Sequence, residues 1–309
     1  MILQVNNLSF SYHSDRKIFH DVNFSLDHGE VLSILGTNGA GKSTLFNIIA
    51  TLDDEYEGLL QIRGVNVREN KRQVREIIGY VPGRFSLYGE LTVAENLSFF
   101  ASAYGCNPYE AHQRSSGLWR HLEASSRKQA KYLSGGMKQK LGVCCALAHD
   151  PHLLLLDEPT TGIDPFSRHL LWEELRSLQK SGMTILVSTH YLEEAAIADR
   201  VLFIHEGRQL KLGPPDKIVA SYPRQLFTLG GYPVQPLFHS MKELPGVINC
   251  YIRGEHVYIT VDENILLETI GVFAAGKGFE KVEIAQLPAD MEDVFIDCLA
   301  TNGGGSISC

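Results

Sequence analysis

Long apolar runs are missing from this chain. No stretch of the 309 residues approaches the roughly 18 consecutive apolar residues that a membrane-spanning helix needs. The opening residues Met1 to Asn7 lack a basic segment followed by an apolar core, so no secretory leader is expected. Positive charge is in short supply as well. With 28 Lys and Arg against 36 Asp and Glu, the net charge is -8, which disfavours a general grip on nucleic acid. The six cysteines, at 106, 144, 145, 250, 298 and 309, follow no metal-binding or disulfide-framework spacing. Cys144 and Cys145 fall in an apolar helical run, where thiols behave as small hydrophobes. A reducing cytosol is the simplest setting.

What remains is an ordinary globular composition, 44% hydrophobic and 21% charged, at a length that suits one large α/β domain and a small one. Its most informative stretch is Gly36-Thr37-Asn38-Gly39-Ala40-Gly41-Lys42-Ser43-Thr44. It fits the phosphate-loop pattern of Gly, four residues, then Gly-Lys-Ser. Val31–Leu35 before it reads as a buried strand, and Leu45–Ala50 after it as a helix packed on a sheet. Strand, Gly-rich turn and helix start make an anion site, with N–H groups and the helix dipole facing a phosphate. Lys42 would reach the β- and γ-phosphates and the Ser43 hydroxyl would ligate Mg²⁺. The competing reading is a chance match in a Gly-rich turn, which the correct flanks make the weaker one.

Residues 1–30 alternate with period two, as antiparallel strands do. Tyr12, near the end of the first strand, could stack on a base or be a half-exposed strand aromatic. Strands are expected at 59–62 and 77–81. From Thr92 the pattern turns helical, with Thr92 and Glu95 forming a capping box. Arg120, Arg127, Lys128 and Lys131 read as a solvated face. Ser134-Gly135-Gly136 precedes a helix and is a second possible helix-terminus anion site, although such a triplet alone is usually a plain turn. Leu153–Leu156 then runs into Asp157-Glu158, a buried strand with two acids at its C-terminal edge, where open α/β sheets bind ligands. Asp157 would hold Mg²⁺, directly or through water, and Glu158 could orient and deprotonate a water. A helix N-cap would explain one of these acids but not both. The strand 184–188 ends at Thr189-His190. A lone His is usually structural, but this one sits at another C-terminal strand edge and could face the same site. Residues 201–212 read as a hairpin. Residues 221–300 then run β-α-β-β-α-β, the order of a ferredoxin-like split βαβ unit, and residues 301–309 read as a disordered tail.

Together these residues resemble the nucleotide-binding subunit of a bacterial ABC transporter, of the drug-export type with an accessory C-terminal domain. The phosphate loop, Leu133–Gly136, Asp157-Glu158, Gly162-Ile163-Asp164 and His190 stand in that family's order and spacing, and residues 1–220 are covered. The subfamily match rests on Gly136–Leu141, Asp157–Pro165, Ser188–Ala195 and Pro288–Phe295. The resemblance implies a P-loop NTPase fold, with a mixed sheet and a helical subdomain at about 92–145, followed by a small α+β domain. It implies that Tyr12 stacks on adenine, Glu158 is the general base and His190 contacts the γ-phosphate. Gly36 and Asn38 to Thr44 would hold ATP, and Ser43 and Asp157 the Mg²⁺. Ser134, Gly135 and Gly136 would serve ATP held by the opposite subunit of a head-to-tail dimer, either two copies or a paired ATPase subunit, with Asp164 at the seam. Export would run through a separate membrane permease, which would keep the chain cytoplasmic and peripheral at the inner face of the cell membrane. A soluble ATPase of this class acting on ribosomes or DNA is the alternative. It usually needs two ATPase halves, a long coiled-coil insertion or basic arms, and none is seen here. A GTP switch is disfavoured by the Ser-Gly-Gly and by the lack of an Asn-Lys-x-Asp stretch.

One departure stands out. The family usually has Gln after the Pro of its Tyr-x-Pro loop, where it touches Mg²⁺ and the attacking water. Here Tyr80-Val81-Pro82 is followed by Gly83, with the downstream spacing kept. Water, Ser86 or Arg84 would have to replace that side chain, or turnover would be weaker.

Overall fold

A computed structural model describes residues 1–12, 16–231, 233–261, 265–279 and 281–302. The strands β1 (Leu3–Tyr12) and β2 (Arg16–Leu26) lead to β3 (Val31–Gly36) and α1 (Lys42–Ile49). Then come β4 (Tyr56–Ile62), β5 (Val65–Asn66), α2 (Lys71–Ile77) and β6 (Ile78–Val81). Three helices follow, α3 (Val93–Ala103), α4 (Pro108–Arg114) and α5 (Ser116–Trp119), and then α6 (Gly135–Ala146). After them run β7 (Leu153–Asp157), α7 (Pro165–Lys180), β8 (Thr184–Thr189), α8 (Leu192–Ala196), β9 (Arg200–His205) and β10 (Arg208–Gly213). The remainder holds α9 (Pro215–Ala220), β11 (Gln225–Gly230), α10 (Val234–Met241), β12 (Val247–Arg253), β13 (His256–Val261), α11 (Leu267–Gly276), β14 (Glu283–Leu287) and α12 (Met291–Asn302).

The chain divides into two compact units, Met1–Pro215 and Asp216 onward. In the first, β1, β2, β4 and β5 form an antiparallel sheet in the order β2-β1-β4-β5. The main sheet, in the order β10-β9-β3-β8-β7-β6, is parallel except at its β10 edge. Burial on both faces explains the unbroken apolar run of β7. Leu153 and Leu155 pack toward α1 and the antiparallel sheet, whereas Leu154 and Leu156 pack toward the helices α3 to α7. β8 is divided in the same way, with Leu186 on one side and Ile185 and Val187 on the other.

The helical segment begins at the expected cap. Thr92 Oγ1 accepts the Glu95 amide at 3.2 Å, and Glu95 Oε2 accepts the Thr92 amide at 2.8 Å. α6 starts at Gly135, inside the triplet expected to precede it, because Ser134 caps it by accepting the Met137 amide at 3.3 Å. The capping side chain stabilises a polar first turn that periodicity alone does not register. Cys144 and Cys145 are buried, and burial pushes the Cys144 thiol up to about 12. In the second unit the strand order is β12-β13-β11-β14, antiparallel throughout, which is the split βαβ arrangement. α12 continues through Asn302, beyond the expected end at 300; residues 303–309 of the expected tail lie outside the described residues.

Candidate functional site

Three C-terminal strand edges of the main sheet converge on one place. β3 ends in Gly36, β7 in Asp157 and β8 in Thr189, so parallel pairing brings together residues far apart in sequence. The turn after β3 is held by the Ala40 amide on the Thr37 carbonyl, at 3.2 Å. Gly41 then adopts φ +100°, and a Cβ there would sit 2.9 Å from the Phe19 ring. Glycine is required by both the backbone angle and the space. α1 therefore begins at Lys42 with no side-chain cap, and its first amides keep their donors for the loop.

Lys42 is only 4% exposed. Its ammonium donates to the carbonyls of Gly36 at 2.8 Å and Thr37 at 3.2 Å, and it lies 3.1 Å from Glu158 Oε1. Three donors thus meet three acceptors, which is what a buried ammonium needs. The other carboxylate oxygen of Glu158 accepts from Thr161 Oγ1 at 3.2 Å and lies 3.5 Å from His190 Nδ1. Glu158 itself has φ +47°, an uncommon angle for a residue with a side chain.

Asp157 is 4% exposed. Its Oδ1 accepts from Ser188 Oγ at 2.6 Å, and the Ser43 hydroxyl hydrogen-bonds the same carboxylate. Burial raises the Asp157 carboxyl above its ordinary value, and the two serine hydroxyls oppose that only in part. For Glu158, burial pushes upward too, but Lys42, Thr161 and His190 outweigh it and hold the carboxyl below its ordinary value. Glu158 is therefore ionised at neutral pH. Ser43 and Asp157 together present a hydroxyl and a carboxylate, hard oxygen donors that suit Mg²⁺ sharing its shell with phosphate and water. Among the described residues, no cluster of three or more His, Cys, Asp or Glu is placed to hold a metal alone.

The expected residues fall into two groups and one outlier. Lys42, Ser43, Asp157, Glu158 and His190 meet around the loop. Ser134, Gly135, Gly136 and Asp164 form a second group. A Cβ on Gly135 would meet Ile163 Cγ2 at 3.3 Å and the Gly162 carbonyl at 3.4 Å. One on Gly136 would meet Ser167 Cβ at 2.8 Å, and Asp164 caps α7 by accepting the Ser167 amide at 2.9 Å. Tyr12 is the outlier. It is 47% exposed, packs edge-on to Phe10 and donates to Asp53 at 3.4 Å.

Periodicity missed Ser188 and Thr161, and register is the signal that finds the first. β7 and β8 pair in parallel with Asp157 opposite Ser188. Gly83 also belongs to the site, since a Cβ there would lie 3.1 Å from the Asp157 carbonyl oxygen and 3.6 Å from Oδ2. Around His190, Tyr191 lies between the imidazole, with ring centroids 4.1 Å apart, and the Arg168 guanidinium 3.8 Å from its centre.

Comparison with known proteins adds the following. Residues 19–161 match the family described as ABC transporter. The Nod factor export ATP-binding protein I of Sinorhizobium fredii (strain NBRC 101917 / NGR234) is 34% identical over 304 residues, covering 95% of this chain and 84% of that protein. A solved structure of an ATP-binding subunit of an ABC transporter superposes with a TM-score of 0.66 at 35% identity, over 72% of this chain and 93% of that one. The ATP-binding cassette MJ0796, solved as a dimer in a post-hydrolysis state with ADP and Pi, gives a TM-score of 0.63 at 25% identity, over 69% of this chain and 98% of that one.

Proposed function

The chain belongs to the ABC transporter family of ATP-binding proteins, and from that premise we propose that it hydrolyses Mg·ATP to drive export through a separate membrane-spanning partner. The observation that carries this reading is the Glu158 carboxylate, 3.1 Å from Lys42 and 3.5 Å from His190 at the mouth of the phosphate loop.

In this mechanism the α1 amides and Lys42 bind and orient the phosphates. Ser43 and Asp157 hold Mg²⁺, which offsets phosphate charge when bound. Glu158 takes the proton of the attacking water. His190 steadies the γ-phosphate end. Tyr12 offers its exposed ring to the base. Ser134, Gly135, Gly136 and Asp164, grouped apart from the loop, serve the nucleotide of a second ATPase subunit set head to tail. That arrangement is supported by the dimeric form of the MJ0796 relative.

No helix among the described residues is long and apolar enough to cross a membrane, so the export path belongs to a partner, and we place this chain against it at the inner face of the membrane. The surface we assign to that partner lies beside Gly83, where a cavity of about 240 Å³ is lined by Pro82, Leu87, Phe100 and Tyr104. Exposed Tyr88 and Phe99 pack edge to face next to it, an apolar patch of the kind that marks an interface.

The test is Glu158→Gln in the purified full chain. Turnover should fall roughly 10²- to 10⁴-fold, the scale of general-base loss, with ATP binding retained. Unchanged turnover removes Glu158 from its role. Co-purification of the native chain with ribosomes or DNA, and not with a membrane protein, would overturn the transport reading.

A further inference from the structure

We propose that Ser188 is a positioning residue for ATP hydrolysis, whose single hydroxyl locks Asp157 and Glu158 into their working orientations; this rests on the ATPase reading above. Ser188 is fully buried on β8, directly opposite Asp157 in the parallel register. Its Oγ donates to Asp157 Oδ1 at 2.6 Å and accepts the Glu158 amide at 2.9 Å.

The direction of both bonds is fixed by chemistry. An amide N–H can only donate, so it takes a lone pair of the hydroxyl and leaves the hydroxyl's one proton for the Asp157 carboxyl. The hydroxyl proton must therefore point at Asp157, and a lone pair must face Glu158. One group thus restrains two consecutive residues in different ways, Asp157 by its side chain and Glu158 by its backbone. The restraint falls where the backbone resists it, because Glu158 sits at φ +47°. The Ser188 carbonyl also receives the Glu158 amide, at 3.2 Å, so removing the hydroxyl does not orphan that amide and the fold survives. Burial of a strand serine does not by itself produce such a bridge. Ser33, equally buried on β3, has no hydrogen-bond partner for its Oγ among the described residues. Nor does Ser188 touch the reacting atoms; it acts through Asp157 and Glu158.

The experiment compares Ser188→Ala and Ser188→Cys with the wild-type full chain. Cys fills the position with a somewhat larger sulfur and offers only a weak S–H donor, so it weakens the hydrogen bonds without leaving a cavity, and Tm reports any overpacking. Four quantities are read: kcat, KM for ATP, binding of Mn²⁺ in the presence of ADP by electron paramagnetic resonance, and Tm. Both variants should lose roughly 10- to 100-fold in kcat and in Mn²⁺ affinity, the scale for partners that orient metal ligands. KM should move less, ATP binding in EDTA should be unchanged, and Tm should stay near wild type. A wild-type Cys variant would show that the site needs only the volume and would overturn the proposal. So would an Ala variant with unchanged kcat and Mn²⁺ affinity. If Ala does not fold, the Cys variant decides alone. Failure of the wild-type chain to hydrolyse ATP would instead overturn the ATPase reading, while variants equal to an active wild type overturn only the role of Ser188.

Discussion

Replacing Gly83 by Gln supplies the side chain that the family resemblance leads one to expect beside Asp157, the acid proposed to hold Mg²⁺, and the structure sets the size of the effect. The Gly83 backbone is outside the left-handed region, so a side chain costs no backbone strain there. Its Cβ would sit 3.1 Å from the Asp157 carbonyl oxygen. That is a tight contact, relieved by a shift of a few tenths of an ångström in an exposed loop. Against it stands the reduced entropy of the unfolded chain, about 0.4–1 kcal/mol in favour of the larger residue. Net stability should therefore change by less than about 1 kcal/mol.

Turnover should respond more. From that Cβ, 3.6 Å from Asp157 Oδ2, an amide can reach the metal or the attacking water. A hydrogen bond to a charged group contributes about 1.5–3 kcal/mol. Only the part gained in the transition state speeds the reaction, at about 1.4 kcal/mol per tenfold. A rise of roughly threefold to tenfold in kcat is expected. The assay is steady-state Mg·ATP hydrolysis by the full chain, alone and with the proposed membrane partner, with Tm measured alongside. Gly83→Ala serves as the control that adds the Cβ without the amide. Identical kcat and partner stimulation in the Gln variant would show the position to be inert. A fall in kcat at unchanged Tm would show that the side chain crowds Asp157, and would refute the reasoning equally.

Two further outcomes concern stability. Gly207, in the hairpin turn between β9 and β10, has φ +73°, and a Cβ there would lie 1.7 Å from the Ile18 carbonyl oxygen; Gly207→Ala should cost roughly 4 kcal/mol or more in chemical denaturation. His149 Nε2 donates to the Ile78 carbonyl at 2.9 Å, since a carbonyl only accepts. Burial, aided by Arg114, holds this imidazole below its ordinary 6.5, although the bond to Ile78 opposes the shift. Its unfolded form therefore takes a proton first as the pH drops below about 6.5, and stability declines by up to about 1.4 kcal/mol per pH unit until the folded form also protonates. His149→Gln should remove that slope from the pH dependence of Tm; an unchanged slope would assign it to other groups.

How much of this was legible in the sequence depended on whether the signal was local. The phosphate loop, the Thr92 capping box and the apolar run of β7 are local, and each was readable from its own residues. The strand order of the second unit was readable from its β-α-β-β-α-β succession, because short connections leave few alternatives. The start of α6 was misplaced because its first turn is polar and held by Ser134, not by an apolar stripe. The short α2 escaped because its seven residues, buried only at Val74 and Ile77, carry too little periodicity. Ser188 was invisible for a different reason. Its partner Asp157 is 31 residues away, and only the pairing of β7 with β8 converts that separation into 2.6 Å. The left-handed angle of Glu158 is likewise imposed by the surrounding strands, since no local preference of Glu leads there.

A short local path, by contrast, joins the two groups of site residues. Gly135 and Gly136 pack against Gly162, Ile163 and Ser167, which makes the start of α6 and the start of α7 a single corner. Gly162 directly follows Thr161, and Thr161 Oγ1 donates to the Glu158 carboxylate. The corner and the Glu158 carboxylate are thus joined by one side-chain hydrogen bond and one peptide link. In the proposed dimer a second subunit's nucleotide seats on that corner. A nucleotide held there would lie one peptide link and one side-chain hydrogen bond from the Glu158 carboxylate.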